Sequence, residues 1–369
     1  MQLGTPHSPF TYWLRAGLSH GFTTSSPQDG QTMWRKYSWT TNTIRPKILH
    51  SFFRAKFSEI GRRYRHLPAT WPGAKVIATL IENASGKFIY AATVIRFIET
   101  PSDTPQVQLD IILKLRQHGV SNPLEILDTL YTRIIHSTPK SDLTFLWLKA
   151  YHILGMWHGA PPASFFNGLC EASAGEAQLI FGALPSLIYA PSRGSSDIYL
   201  FYHKSLQDYL DDPLRSQAFS HIDNDVVHEW ISQRIARSFL CKGPEVSSDE
   251  SASPSVDFIW DFMVLISGCV GNAPARNVFE HQDLVGCDAD WWVGHDQTDL
   301  STRSMIFVEV HRNCLFYSPC RPVCKNWRNA LCRWGLHKLP HVPSGAVPLL
   351  LDRFCIRRLK GCRKRDLSA

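Results

Sequence analysis

Two cysteines and two histidines late in the chain have the spacing of a metal site. Cys320-x3-Cys324-x12-His337-x3-His341 falls within the C2H2 zinc-finger pattern, and tetrahedral Zn²⁺ accepts two thiolates and two imidazoles. The residues between them fit poorly. The hydrophobic positions of a finger fall on Arg328 and Trp334, only one of them apolar. Pro340 falls within the helix that must present both histidines on one face. Pro322 falls where the two strands should be. No metal is expected, with Cys320, Cys324, His337 and His341 as the candidate set if there were one. Nucleotide chemistry lacks its groups as well. No G-x-x-x-x-G-K-[S/T] string is present; the nearest, Ser85-Gly86-Lys87-Phe88, has Phe in place of the metal-binding hydroxyl. No apolar strand ends in paired acids. Mg–ATP would find nothing to neutralise its transition-state charge, so neither hydrolysis nor a cofactor is expected. His203 and Ser205 are near neighbours, but no acid or oxyanion context accompanies them. Trp291 and Trp292 lie among Asp288, Asp290 and Asp296 as a ligand cleft might require, and partly buried aromatics explain them more simply.

Charge is unevenly spread along the 369 residues. Met1–His66 holds ten Lys/Arg against two Asp/Glu, and Arg303–Ala369 holds fourteen against three. The residues between hold fifteen basic and twenty-seven acidic side chains, so the net charge of +7 averages an acidic body with two basic ends. A hydrophobic fraction of 44% excludes a wholly disordered chain. Apolar runs such as Phe88–Ile95 and Phe262–Val270 are far shorter than the roughly 18–20 residues that span a bilayer. The first thirty residues contain no h-region, and the Ser/Thr-rich segment Met1–Arg45 lacks the amphipathic period of a transit peptide. Ten cysteines without a secretory signal read as reduced thiols, and the expected location is cytoplasmic.

Helical periodicity dominates the elements that would position any site, and the fold class is mainly α. Residues 1–46 read as poorly ordered and 47–140 as a helical domain. That domain opens with Ile48, Phe52, Phe53, Phe57 and Ile60 on one helical face. Helices follow over Lys75–Glu99, after Pro105 in step to Arg116, and from an Asn122–Pro123 start through the stripe Leu124, Leu127, Leu130, Tyr131, Ile134 and Ile135. Residues 141–215 give a different order. Ser141 caps a helix with Phe145, Leu148, His152 and Ile153 inward. Pro161 and Pro162 start a short second one, and Ser173 with Glu176 forms a capping box for a third reaching Leu184. Strands over Leu187–Tyr189 and Ile198–Tyr202 flank a turn-rich loop. Helix–helix–helix–strand–loop–strand is the order of a winged helix. Its candidate recognition helix, Ser173–Leu184, contains no Arg or Lys and carries Glu176, so no nucleic-acid partner is expected. Residues 216–242 begin a second helical domain, 243–256 form a linker, 257–300 hold a further helical segment, and 301–369 form a basic, Cys-rich tail of low order.

Four strings occur in sequence order: FIYAATVIRFIE (Phe88–Glu99), PLEILDTLYTRII (Pro123–Ile135), AYHILG (Ala150–Gly155) and FYHKSLQDYLDDPLRS (Phe201–Ser216). Through them the chain resembles the fungal NACHT-type STAND proteins, relatives of the NOD-like receptors, over roughly Ser51–Leu240. The resemblance implies the helical, winged-helix and second helical parts that follow an NTPase core in that family. It implies a non-catalytic regulatory part of a signalling protein, acting through protein–protein contacts with a full-length NACHT homologue or with itself. It also implies that His203, in His203-x-Ser205, would touch an ADP phosphate, against the alternative that His203 caps the following helix. An exposed apolar face is expected around Phe88–Glu99 and Ser141–Gly159, where an NTPase domain would dock. The reading from another class is a zinc-dependent nucleic-acid-binding protein using the finger-like segment and both basic ends.

Overall fold

Apolar side chains recurring every three to four residues become thirteen α-helices in the computed structural model, which describes residues 45–115, 124–193, 195–245, 256–269, 282–294 and 321–333. Helix α1 (Pro46–Arg63) starts on a proline whose missing N–H costs nothing at a first turn and buries Leu49, Phe53, Phe57 and Ile60. It packs on α2 (Ala74–Ala84) and α3 (Phe88–Ile98). The tight reversal between α2 and α3 is the Ser85-Gly86-Lys87-Phe88 string. Ser85 and Gly86 both have positive φ, and Phe88 lies edge-on to Phe52 at 4.7 Å. Thr104 caps α4 (Pro105–Leu113) by accepting the Val107 N–H at 3.4 Å. Helix α5 (Glu125–His136) follows, its stripe Leu127, Leu130, Tyr131, Ile134 and Ile135 buried. The expected start at Asn122–Pro123, and Arg116, lie outside the described residues.

Helix α6 (Ser141–His158) buries Phe145, Trp147, Leu148, Tyr151, Ile153 and Leu154. Ser141 is its first helical residue rather than its cap; the preceding Lys140 holds that place without a side-chain bond. Next come α7 (Ala163–Cys170) and α8 (Glu176–Phe181). The capping box expected of Ser173 and Glu176 takes another form. Gly175 turns the chain at φ 85°, Glu176 Oε2 accepts the Ala172 N–H at 2.9 Å, and Glu171 Oε1 accepts the Ala177 N–H at 3.1 Å. Two glutamates thus satisfy free backbone donors around this short helix, where negative charge also suits the dipole. Strands β1 (Ile188–Tyr189) and β2 (Leu200–Phe201) pair antiparallel, Ile188 opposite Phe201. A single bridge joins Pro162, just before α7, to Ile198, and the Ala163 N–H reaches Asp197 O at 2.8 Å.

Helix α9 (Lys204–Asp211) starts two residues after β2, and a 3₁₀ turn at Gln217–Phe219 leads to α10 (Asn224–Cys241), capped by Asp223. The expected further segment forms α11 (Val256–Cys269), a 3₁₀ turn (Gln282–Gly286) and α12 (Ala289–Gly294). Within the tail read as low in order, Pro322–Arg333 is helix α13. These elements rest on the earlier ones. Phe258 of α11 meets Phe165 of α7 at 5.2 Å. Phe239 of α10 meets Phe262 of α11 at 4.9 Å, Trp292 of α12 at 5.2 Å and Trp327 of α13 at 5.7 Å. No helix among the described residues is long and apolar enough to cross a membrane.

The apolar face expected around Phe88–Glu99 and Ser141–Gly159 is not found. Helix α3 buries Tyr90, Ala91, Val94, Ile95, Phe97 and Ile98, and on α6 the large apolar side chain left exposed is Met156. The physical reason is local. Helices α1, α2 and α4 already cover α3, and α5, α9, α10 and α11 surround α6.

Candidate functional site

The polar residues that meet inside this helical body do so where α5 faces α9. Asp128, Tyr131 and Thr132 are three to four residues apart on α5 and therefore share one face. Across from them stand Ser205 and Tyr209 of α9 and Arg215 from the turn beyond it. Arg215 grips the Asp128 carboxylate with Nε at 3.0 Å from Oδ2 and Nη2 at 2.6 Å from Oδ1. The two side chains are 10% and 9% exposed, a buried, forked pair. Burial works against the charge on Arg215, and the Asp128 carboxylate more than offsets it, holding the guanidinium above its ordinary range. Nη2 also points to Ser205 O at 3.4 Å. Tyr131 Oη lies 2.8 Å from Ser205 Oγ, and Thr132 Oγ1 lies 2.7 Å from Tyr209 Oη. Burial pushes the Tyr209 phenol up to about 12, so it stays protonated and can donate.

His203 stands at the head of this seam. Its extended backbone makes it the N-cap of α9, and Nδ1 accepts the Ser205 N–H at 3.0 Å. A ring nitrogen that accepts carries no proton, so the neutral tautomer has its hydrogen on Nε2. Ser205 Oγ, 2.8 Å from the same Nδ1, then donates to it and accepts from Tyr131. Burial lowers the His203 pKa, Asp208 opposes this, and Arg96 adds to it. Arg96 lies over the Tyr202 ring at 4.2 Å, close enough for its charge to be felt at His203. The geometry matches the capping alternative. It is a poor nucleophile site: Ser205 is buried, its oxygen is bonded on both sides, and among the described residues no carboxylate hydrogen-bonds to His203.

A second set of contacts fastens α6 to the same region. His152 Nε2 lies 2.9 Å from Asp211 Oδ2 at the end of α9. The buried Lys149 ammonium donates to Ile222 O at 3.1 Å, and burial lowers its pKa against the pull of Asp211 and Asp223.

The other sequence candidates have packing roles or lie elsewhere. Trp292 is buried and donates its indole N–H to Phe239 O at 2.9 Å. Trp291 carries the Lys242 ammonium 5.7 Å above its ring, and Lys242 pairs with Asp288 at 2.7 Å. Asp290 pairs with Arg333, and Asp296 lies outside the described residues. Cys324 falls in the first turn of α13, where a C2H2 finger would need an extended segment. Its partners Cys320, His337 and His341 lie outside the described residues. Among the described residues, no three His, Cys, Asp or Glu side chains are grouped so as to hold a metal.

Sequence reasoning missed the Asp128–Arg215 pair and the bonds around it. A signal was present, since Asp128 interrupts the apolar stripe of α5 one turn after Leu124 and one before Tyr131. Its partner, 87 residues away, carried none. Comparisons with family models, curated proteins and solved structures returned no match for the chain.

Proposed function

We propose that this chain is a non-catalytic helical and winged-helix regulatory module of the NACHT/STAND type, acting through contacts with protein partners. One observation carries the reading: the order α6–bridge–α7–α8–β1–β2, followed at once by a His-x-Ser helix start bonded to the preceding helical body. The isolated antiparallel bridge at Pro162–Ile198, just before α7, supports that order. Glu171 and Glu176 around α8 disfavour a nucleic-acid phosphate there. In this reading the α5–α9 seam joins the helical body to the winged helix and fixes their relative placement. A phosphate contact by His203 would need a nucleotide held by a unit outside these 369 residues, which contain no P-loop.

Sedimentation of the purified chain, alone and mixed with the NTPase core of a NACHT homologue, tests the proposal. Because α3 and α6 leave no exposed apolar face for such a core, the complex has to form through another surface; its detection at micromolar concentration, without ATP turnover by the chain alone, is the expected result. Stoichiometric zinc together with duplex DNA retention that falls as salt rises would instead establish the zinc-dependent nucleic-acid reading.

A further inference from the structure

The broadest exposed apolar ridge among the described helices lies on α11. Phe258, Ile259, Phe262, Met263, Leu265 and Ile266 fill its inner side. On the outer side Val256 is 55% exposed, Trp260 55% and Val264 43%. These three stand at i, i+4 and i+8, which places them in one row along the helix. A half-exposed tryptophan within such a row is costly to leave in water. Two carboxylates flank it, Asp257 and Asp261, and among the described residues neither is ion-paired. Burial, with Asp257 one turn away, raises the Asp261 pKa. The ridge is therefore apolar with an acidic border, and its natural cover is apolar with a basic border.

We propose that the segment Leu349–Arg365 of the same chain covers this outer face of α11. The segment combines Leu349, Leu350, Leu351, Phe354, Ile356 and Leu359 with seven Lys/Arg against the single acid Asp352. Its composition complements the ridge in both hydrophobicity and charge. Reach is also favourable. Helix α13 ends at Arg333, and its Trp327 joins the Phe239 cluster that also holds Phe262 of α11. The chain thus leaves α13 near the aromatic cluster on which the helix it would cover also rests. Residues 334–348 can extend to about 50 Å, against a length of about 21 Å for α11. Linking a segment to its site in one chain raises its effective concentration, so modest contacts suffice.

Hydroxyl-radical footprinting read by mass spectrometry at Trp260 tests this in the full chain. Replacing Arg357, Arg358 and Lys360 by Glu should raise Trp260 oxidation by roughly threefold or more, the scale set by a few ion pairs and the apolar contacts they hold. The pair Asp257→Lys and Asp261→Lys should do the same. Combining both sets should restore protection, which simple unfolding would not do. Circular dichroism checks that each variant keeps its helices. Unchanged oxidation in both single sets, or no restoration in the combination, would overturn the proposal. Protection of Trp260 that disappears on dilution would also overturn it, in favour of a second copy as the cover.

Discussion

At the scale of single residues, the α5–α9 seam owes its strength to groups that would be expensive to leave alone. Removing one member of a buried ion pair strands the other, at a cost of about 3–5 kcal/mol, whereas replacing both by apolar residues of similar volume is often neutral. Asp128→Ala should therefore destabilise the protein by about that amount, and Asp128→Leu combined with Arg215→Met should recover most of it. Urea denaturation of the two variants and the parent measures both. His203 gives a pH dependence of definite sign. Its folded-state pKa is depressed by burial, so below the free value of about 6.5 the unfolded chain takes up the proton first. Stability should fall as pH drops through that value towards the depressed one. His203→Asn, which can still cap α9, should keep its stability at pH 7.5 to within about 0.5 kcal/mol. It should lose part of the acid-side slope, and thermal unfolding between pH 7.5 and 5 reads this. His228, also depressed by burial, should contribute a slope of the same sign.

At the scale of elements, close approach decides where α11 sits. A Cβ built on Gly168 of α7 would meet the Phe258 ring at 3.0 Å. Gly168→Ala should accordingly push the ring and its helix outward and destabilise by about 1–3 kcal/mol. The loss should be smaller in a Phe258→Leu background, a double-mutant comparison that thermal denaturation can make. Elements are also where the sequence was most legible. The 3.6-residue period located α1 and α5 because each buries one stripe, and Pro105 marked the start of α4. The start of α8 was misread. Ser173 with Glu176 has the capping-box spacing, yet the backbone donors there are met by Glu171 and Glu176 from geometry that spacing cannot convey. Helix α13 went unread because prolines, cysteines and basic residues surround it, and its burial depends on Phe239, 88 residues before Trp327. Of the seam, His203, Ser205 and Tyr131 were visible singly. The contacts that cross from α5 to α9 and Arg215 span 74 to 87 residues and are set by packing alone.

For the whole molecule, the composition marks Gly243–Val256 as a linker, and the packing across it is dense. Phe165 meets Phe258, and Phe239 joins α10 to α11, α12 and α13. Apolar contacts of this kind do not depend on the covalent connection once formed, so the helices before and after the linker belong to one core. A protease site inserted between residues 246 and 255 should therefore be cut without separating the pieces. Gel filtration at neutral pH should return them together, and they should part only in denaturant. Phe239→Ala removes the ring on which three later helices converge, at a cost of about 3–5 kcal/mol. In the cut protein that variant should release the piece containing α11, α12 and α13, whereas the uncut variant should keep it attached and show faster amide exchange there. If the cut parent separates in native buffer, the linker divides two independent folds, and the aromatic contacts at Phe239 are too weak to join them.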